Sequence, residues 1–312
     1  MRVTPANPRI LPYGEAALGE AAALIRRGAC VAVPTETVYG LAADATDSDA
    51  VAGIYAAKGR PSFNPLIVHV ADMAMAETIA RFDDHARALA TRFWPGPLTM
   101  VLPLANGSPI ASLVTAGLPT VALRMPDHRA MQGLIQASGR PLAAPSANAS
   151  GGISPTRAAH VAASLAGRIL LVIDDGATRA GIESTIVEPA TQRILRPGPV
   201  TAEELPGYRT GTTPGAVTAP GQLASHYAPA KPLRLDARVA AAGEWLIGFG
   251  PIAGDDSLSA TGDLREAAAR LFDALHRADA STRSSIAIAP IPEQGLGQAI
   301  RDRLARAAHP RG

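Results

Sequence analysis

Four segments carry the side-chain types that bind an anionic, phosphorylated ligand. They are Pro34-Thr-Glu-Thr-Val-Tyr-Gly40; Lys58-Gly-Arg-Pro-Ser-Phe-Asn-Pro65, running into Leu66-Ile-Val-His-Val70; Pro145-Ser-Ala-Asn-Ala-Ser-Gly-Gly-Ile-Ser-Pro-Thr156; and Gly181-Ile-Glu-Ser-Thr-Ile-Val187, followed by Leu195-Arg-Pro-Gly198. Lys58, Arg60, Arg124 and Arg196 can neutralise phosphates and a carboxylate, and arginine adds bidentate pairing. Ser146, Asn148 and Ser154, with Gly151-Gly152, form a loop whose backbone N–H groups can approach phosphate, ahead of a helix starting near Pro155-Thr156. Singly, each segment also reads as ordinary structure. Lys58-Gly-Arg-Pro fits a helix end, and Ser154-Pro-Thr a helix cap.

Lys58 stands out for a second reason. Of 29 basic residues only Lys58 and Lys231 are lysine, a split that points to a coding bias towards arginine. A lysine that persists in that background is suited to a role that needs a compact ammonium. Chance survival is the plainer reading for Lys231.

The elements that must position these residues follow from periodicity. Residues 14–27 read as an amphipathic helix ending at Gly28, followed by a strand at 29–33 and a turn-rich loop at 34–40. Asp47 or Ser48 caps a helix running to Lys58. Strands are expected at 66–70, 98–102, 120–125, 141–144, 169–173 and 184–188, with helices near 72–80, 83–93, 128–138 and 156–165. Alternation puts Val121 and Leu123 on one strand face and Thr120, Ala122 and Arg124 on the other; His69 and Ile67 oppose Leu66, Val68 and Val70. Such positions line a cleft or face water. Interleaved strands and helices predict an α/β fold, and convergence of polar residues at strand ends is the usual ligand-site geometry there.

Residues 207–232 have linker composition. After them the pattern restarts, with strands at 245–249 and 285–289 and helices behind Asp263 and at 297–307. The division expected is 1–206, a linker at 207–232, and a small βαβα domain at 233–312.

Composition removes several classes. The 312 residues are 47% hydrophobic and 18% charged, an ordinary globular balance. No apolar run approaches the ~20 residues of a membrane span, and MRVTPANPRI lacks a signal-peptide core, so a cytoplasmic protein is expected. The single cysteine, Cys30, leaves no internal disulfide or CxxC site and sits in an apolar run. A net charge of +2 without basic runs argues against a protein held on nucleic acid by phosphate neutralisation. GxxxxGK[ST], HExxH and GxSxG are absent, and the glycines at 248, 250 and 254 are wrongly spaced for GxGxxG.

Taken together, PTETVYGL, KGRP…NPLIVHV, PSANxSGxxSPT, STIV and LRPG resemble the YrdC-type threonylcarbamoyl-AMP synthases. SHYAP at 225–229 and the extra C-terminal domain resemble the long form of that family. The resemblance runs over roughly 10–232 by motif and over 233–312 by layout. It implies a YrdC-like twisted mixed sheet with flanking helices, plus a small Rossmann-like C-terminal domain. It implies a reaction in which L-threonine, bicarbonate or CO2, and ATP give L-threonylcarbamoyladenylate and pyrophosphate. The product would feed N6-threonylcarbamoyladenosine formation in tRNA by other proteins, without stable nucleic-acid or membrane binding by this chain.

Carried over by motif, Thr37, His69, Arg124, Ala144 and Ser184 resemble threonine-side residues. Lys58, Arg60, Asn64, Thr120, Ser146, Asn148, Ser154 and Arg196 resemble nucleotide-side residues, with Lys58 and Arg60 as the catalytic pair on the triphosphate. Tyr227 resembles a lid residue closing over the nucleotide against water. Phosphoryl-type transfer needs positioning and charge neutralisation more than a covalent nucleophile, which agrees with the absence of a Ser-His-Asp or Cys-His set. Mg2+ would be held mainly by phosphate oxygens and water, so no dedicated protein metal site is expected. The competing readings are an RNA-binding module of the same fold, and the carbamoyl-adenylate-forming module of hydrogenase maturation proteins. The latter expects zinc-finger modules, which one cysteine excludes.

Overall fold

The computed structural model describes residues 7–61, 64–211 and 226–309; the 212–225 part of the expected linker, including Ser225, lies outside them. Helix Glu15–Arg26 buries Ala17, Ala21, Ala22, Leu24 and Ile25, the stripe its apolar spacing predicts. Strand Val31–Pro34 follows. The expected loop at 34–40 extends only to residue 38, because Tyr39–Asp44 is a strand running antiparallel to Val31–Pro34. Tyr39-Gly-Leu-Ala-Ala-Asp44 is buried on both faces, so it lacks the alternation that marks a half-exposed strand. Thr35 closes the turn: its hydroxyl accepts the Thr37 and Val38 N–H groups and donates to the Val38 carbonyl.

Helix Ser48–Lys58 starts at Asp47, whose carboxylate accepts from Asp49 and Ala50 N–H. It stops at Gly59, left-handed at φ 60°, which leaves Lys58 in the last turn. The helices expected near 72–80, 83–93, 128–138 and 156–165 form at Met73–Ile79, Asp84–Phe93, Arg129–Ser138 and Ala158–Ser164, and a short helix that was not expected stands at Ser112–Thr115.

Among the described residues eleven strands make one mixed sheet. Its order is Arg9–Pro12, Leu171–Asp174, Val31–Pro34, Tyr39–Asp44, Leu142–Ala143, Ile67–His69, Thr120–Arg124, Leu98–Pro103, Thr185–Glu188, Arg193–Arg196 and Arg209–Thr210. At its centre Ile67–His69 runs parallel to Thr120–Arg124, with His69 opposite Arg124. On its other side His69 faces Leu142, so Ala144 comes to the same strand ends. Strand pairing alone thus gathers three of the expected threonine-side residues.

From residue 233 a four-stranded, all-parallel sheet forms in the order Leu233–Arg234, Ser285–Ile288, Glu244–Gly248 and Asp256–Ser257. Two of these strands were not expected, since two residues are too few to show a period. Helices Leu264–Ala280 and Leu296–Ala308 cover this sheet. Its core of Ile247, Leu271, Phe272, Ile286 and Ile300 is continuous with Val38, Ile153, Ile182 and Tyr227 from before residue 233. Among the described residues no helix is long and apolar enough to cross a membrane.

Candidate active site

Where the central strands end, a cavity of about 50 Å3 opens. Thr37, His69, Arg124, Ala144 and Ser184 all line it, together with Arg60, Ser146, Arg196, His226 and Tyr227. The five threonine-side expectations therefore meet at one place.

Arg124 is its most committed cation, at 3% exposure. Its Nε donates to the Gly96 carbonyl at 3.2 Å and its Nη1 to the Thr37 hydroxyl at 2.9 Å. Its Nη2 lies 2.7 Å from Glu36 Oε2. Burying two charges is tolerable only as such a pair, and breaking it would leave an uncompensated buried charge. Ser184 shares a hydrogen bond with Thr99 at 2.8 Å and accepts Arg196 Nη2 at 3.1 Å, while Arg196 Nε donates to the Ser184 carbonyl at 3.0 Å. His69 is buried, and its Nδ1 has no hydrogen-bond partner among the described residues. Burial and then the adjacent Arg124 push its pKa down to about 3, so the ring is neutral at ordinary pH.

The nucleotide-side expectations divide. Arg60, Ser146, Arg196 and Tyr227 are in the cavity wall; Lys58, Asn64, Thr120, Asn148 and Ser154 are not. Lys58 Nζ donates to the carbonyls of Ser146 at 2.6 Å and Asn148 at 2.5 Å, bracing that loop from beneath. Arg60 Nη2 donates to the Pro65 carbonyl at 3.2 Å, and burial lowers its pKa to about 10. Asn64 is fully buried, and neither amide atom has a hydrogen-bond partner among the described residues. Asn148 Nδ2 donates to the Ala149 and Gly152 carbonyls, which folds the glycine-containing loop on itself. Ser154 gives its hydroxyl to Glu183. Thr120 begins the strand that Arg124 ends, four strand steps away at ~3.3 Å each.

Tyr227 is 1% exposed, with a left-handed φ of 65°. Its ring packs on His226, with centroids 4.1 Å apart, and on Phe272 at 5.5 Å. Ala228 N–H donates to the Gly151 carbonyl at 2.9 Å, which ties this segment to the glycine pair.

Sequence reasoning passed over Glu36, Glu183 and Arg303. The first two stood inside quoted motifs, where an acid between hydroxyl or apolar residues on a buried segment was the available signal. Arg303 had none, because its partner Glu183 is far away in sequence. Among the described residues no group of three His, Cys, Asp or Glu side chains could hold a metal ion.

A mixed sheet whose strand ends present a buried arginine, a neutral histidine and short hydroxyls, beside a cation-braced glycine loop, defines a protein that binds a small carboxylate next to an anionic ligand. The Sua5/YciO/YrdC family model, described as telomere recombination, matches residues 23–198. A second model, the threonylcarbamoyl-AMP synthase C-terminal domain, matches 178–309. The chain belongs to the Sua5/YciO/YrdC family. The threonylcarbamoyl-AMP synthase of Bacillus subtilis is 40% identical over 93% of this chain and 92% of its own length. That of Pyrococcus abyssi is 40% identical over 92% and 93%. A crystal structure of P. abyssi Sua5 complexed with L-threonine superposes with a TM-score of 0.88, at 38% identity, covering 96% of this chain and 97% of that one.

Proposed function

We propose that this chain is an L-threonylcarbamoyladenylate synthase, condensing L-threonine, CO2 and ATP into L-threonylcarbamoyladenylate and pyrophosphate, with one water also formed where bicarbonate supplies the carbon. The observation that carries this is the meeting of Thr37, His69, Arg124, Ala144 and Ser184 on one cavity beside Arg60 and Arg196.

The residues divide the work. Arg124 meets the threonine carboxylate while Glu36 keeps its guanidinium oriented. The Thr37 and Ser184 hydroxyls and the neutral His69 ring serve the polar groups of threonine, and the Ala144 methyl packs against it. The threonine amine takes up CO2 as a carbamate, a carbamate oxygen attacks the α-phosphorus, and pyrophosphate leaves. Arg60 and Arg196 neutralise charge that grows on the phosphates, and Lys58 keeps the 146–148 loop in place. Asn64, Thr120, Asn148 and Ser154 complete the nucleotide side. Magnesium enters with ATP as part of the substrate. Proximity and charge stabilisation are effects of the size such a reaction needs.

Tyr227 and His226 act as the lid. At about 50 Å3 the cavity is too small for ATP as it stands, so ATP enters when the 226–228 segment swings out. Its return excludes water from a hydrolysable adenylate. Residues 1–206 form the catalytic domain, 207–232 the linker and lid, and 233–312 the C-terminal domain. The product goes to the proteins that modify tRNA, in the cytoplasm.

The test is pyrophosphate release with ATP, bicarbonate and each amino acid in turn. Threonine should support turnover and serine much less, since a methyl in an apolar pocket gives ~10–200-fold discrimination. Equal turnover with alanine, which has no hydroxyl, would refute the assignment.

A further inference from the structure

We infer that the C-terminal domain supplies a positioning residue to the active site: Arg303, which holds the nucleotide side of the cavity and its lid from behind. This rests on the synthase reading and adds to it a part for residues 233–312.

Arg303 lies on helix Leu296–Ala308 and is 0% exposed, the largest fully buried side chain described. Its Nε donates to Glu183 Oε2 at 2.8 Å and its Nη2 to the Glu183 carbonyl at 3.3 Å. Nη1 donates to the Pro197 carbonyl at 2.9 Å and to Asp302 Oδ2 at 2.8 Å. The guanidinium carbon stands 5.4 Å from the centre of the Tyr227 ring, within cation–π range. One side chain therefore touches three segments of the site. Glu183 passes the contact on, because its other carboxylate oxygen accepts the Ser154 hydroxyl at the end of the glycine loop. Pro197 directly follows Arg196, and Tyr227 is the lid.

Joining two domains does not require this arrangement. The interface already has a continuous apolar core, and a buried ion pair is often no more stable than well-packed apolar residues of the same volume. What the fork adds is geometry, with donors in one plane fixed on acceptors from separate segments. Burial alone would raise the Glu183 carboxyl, but Arg303, then Arg196 and the Ser154 hydroxyl, bring it below its usual value, so an anion stands at this wall. The Ser184 hydroxyl, by contrast, is held by Thr99 and Arg196 and has no hydrogen bond to Arg303. The threonine side should therefore be insensitive to Arg303.

The experiment uses the full chain with Arg303→Lys, Arg303→Met, Glu183→Gln and the double variant Arg303→Met/Glu183→Gln. Arg303→Met leaves the Glu183 carboxylate buried without its partner and is expected to unfold easily; the double variant removes both charges and keeps the question answerable. In Arg303→Lys and in the folded double variant, the ATP KM should rise about tenfold or more, the effect of one lost charge-assisted hydrogen bond. The threonine KM should stay within about twofold, and more adenylate should be hydrolysed per pyrophosphate released. Folded variants with unchanged ATP KM, kcat and product retention would make Arg303 a strut and overturn the inference. So would an equal rise in both KM values. Failure of the wild-type chain to show threonine-dependent turnover would refute the synthase reading instead; ATP titration by calorimetry would then still decide whether Arg303 governs the nucleotide side.

Discussion

Lys58 offers the most direct test of the proposed nucleotide side. Its ammonium is buried beneath the 146–148 loop and donates to two carbonyls there, at 2.6 and 2.5 Å. Lys58→Met preserves most of the stem and leaves both acceptors unpaired. At ~1–3 kcal/mol per buried unsatisfied group, the loop loses about 2–6 kcal/mol, offset in part because an ammonium is no longer desolvated. If only ~1.4 kcal/mol of that falls on the loop order that ATP needs, its Kd rises tenfold. Lys58→Arg should be no milder. Burial and then repulsion from Arg60 lower the Lys58 pKa well below its usual value, so charge at this point is already disfavoured. A guanidinium cannot shed its proton, and its plane does not aim at two carbonyls as an ammonium does. The assay is calorimetric ATP titration beside thermal unfolding, with Lys231→Met as the control. Lys231 Nζ donates to the Ala278 and Ser281 carbonyls, capping helix Leu264–Ala280, so it has a structural task of its own rather than being a chance survivor. Its loss should lower Tm by a few degrees without changing ATP affinity. Wild-type ATP affinity in both Lys58 variants would refute the bracing argument.

Arg124→Lys should raise the threonine KM ~10–150-fold, the equivalent of ~1.5–3 kcal/mol for a charge-assisted bond, while the ATP KM moves little; initial-rate kinetics in both substrates would show the reverse if Arg124 served the nucleotide. His69, held near pKa 3, is neutral when folded but takes up a proton near pH 6.5 when unfolded. Its contribution is therefore complete above pH 6.5 and is lost as pH falls towards 3. Urea unfolding at pH 7.5 and pH 5 should show His69→Asn losing less on acidification than the wild type, and equal losses would contradict this. Gly198→Ala places a Cβ 2.4 Å from the Thr185 nitrogen and 2.8 Å from the Glu183 carbonyl. Backbone cannot yield there, so both Tm and turnover should fall; a variant indistinguishable from wild type in calorimetry and turnover would show that the 183–185 segment shifts freely.

Much of the molecule is legible in its sequence, for identifiable reasons. Asp47 and Gly59 bracket their helix because a cap and a left-handed glycine are local signals. His69 and Arg124 come together because alternation sets their faces and a parallel register sets their height. Strand Tyr39–Asp44 escapes notice because burial on both faces erases alternation. Lys58 reads correctly as a helix end, but its carbonyl partners at 146 and 148 depend on a fold-back that no spacing reveals. Glu183 and Arg303 pair across 120 positions and two sheets, and only tertiary packing joins them.

In the proposed reaction one cavity joins threonine, inorganic carbon and the α-phosphate of ATP. Incubating the chain with L-threonine, ATP, magnesium and 13C-labelled bicarbonate, then resolving the adenylates by mass spectrometry, tests it directly. L-threonylcarbamoyladenylate carrying a single 13C atom is expected, formed with stoichiometric pyrophosphate and absent when threonine is omitted. Pyrophosphate release that gives threonyl adenylate without the labelled carbon, or no adenylate at all, would contradict it.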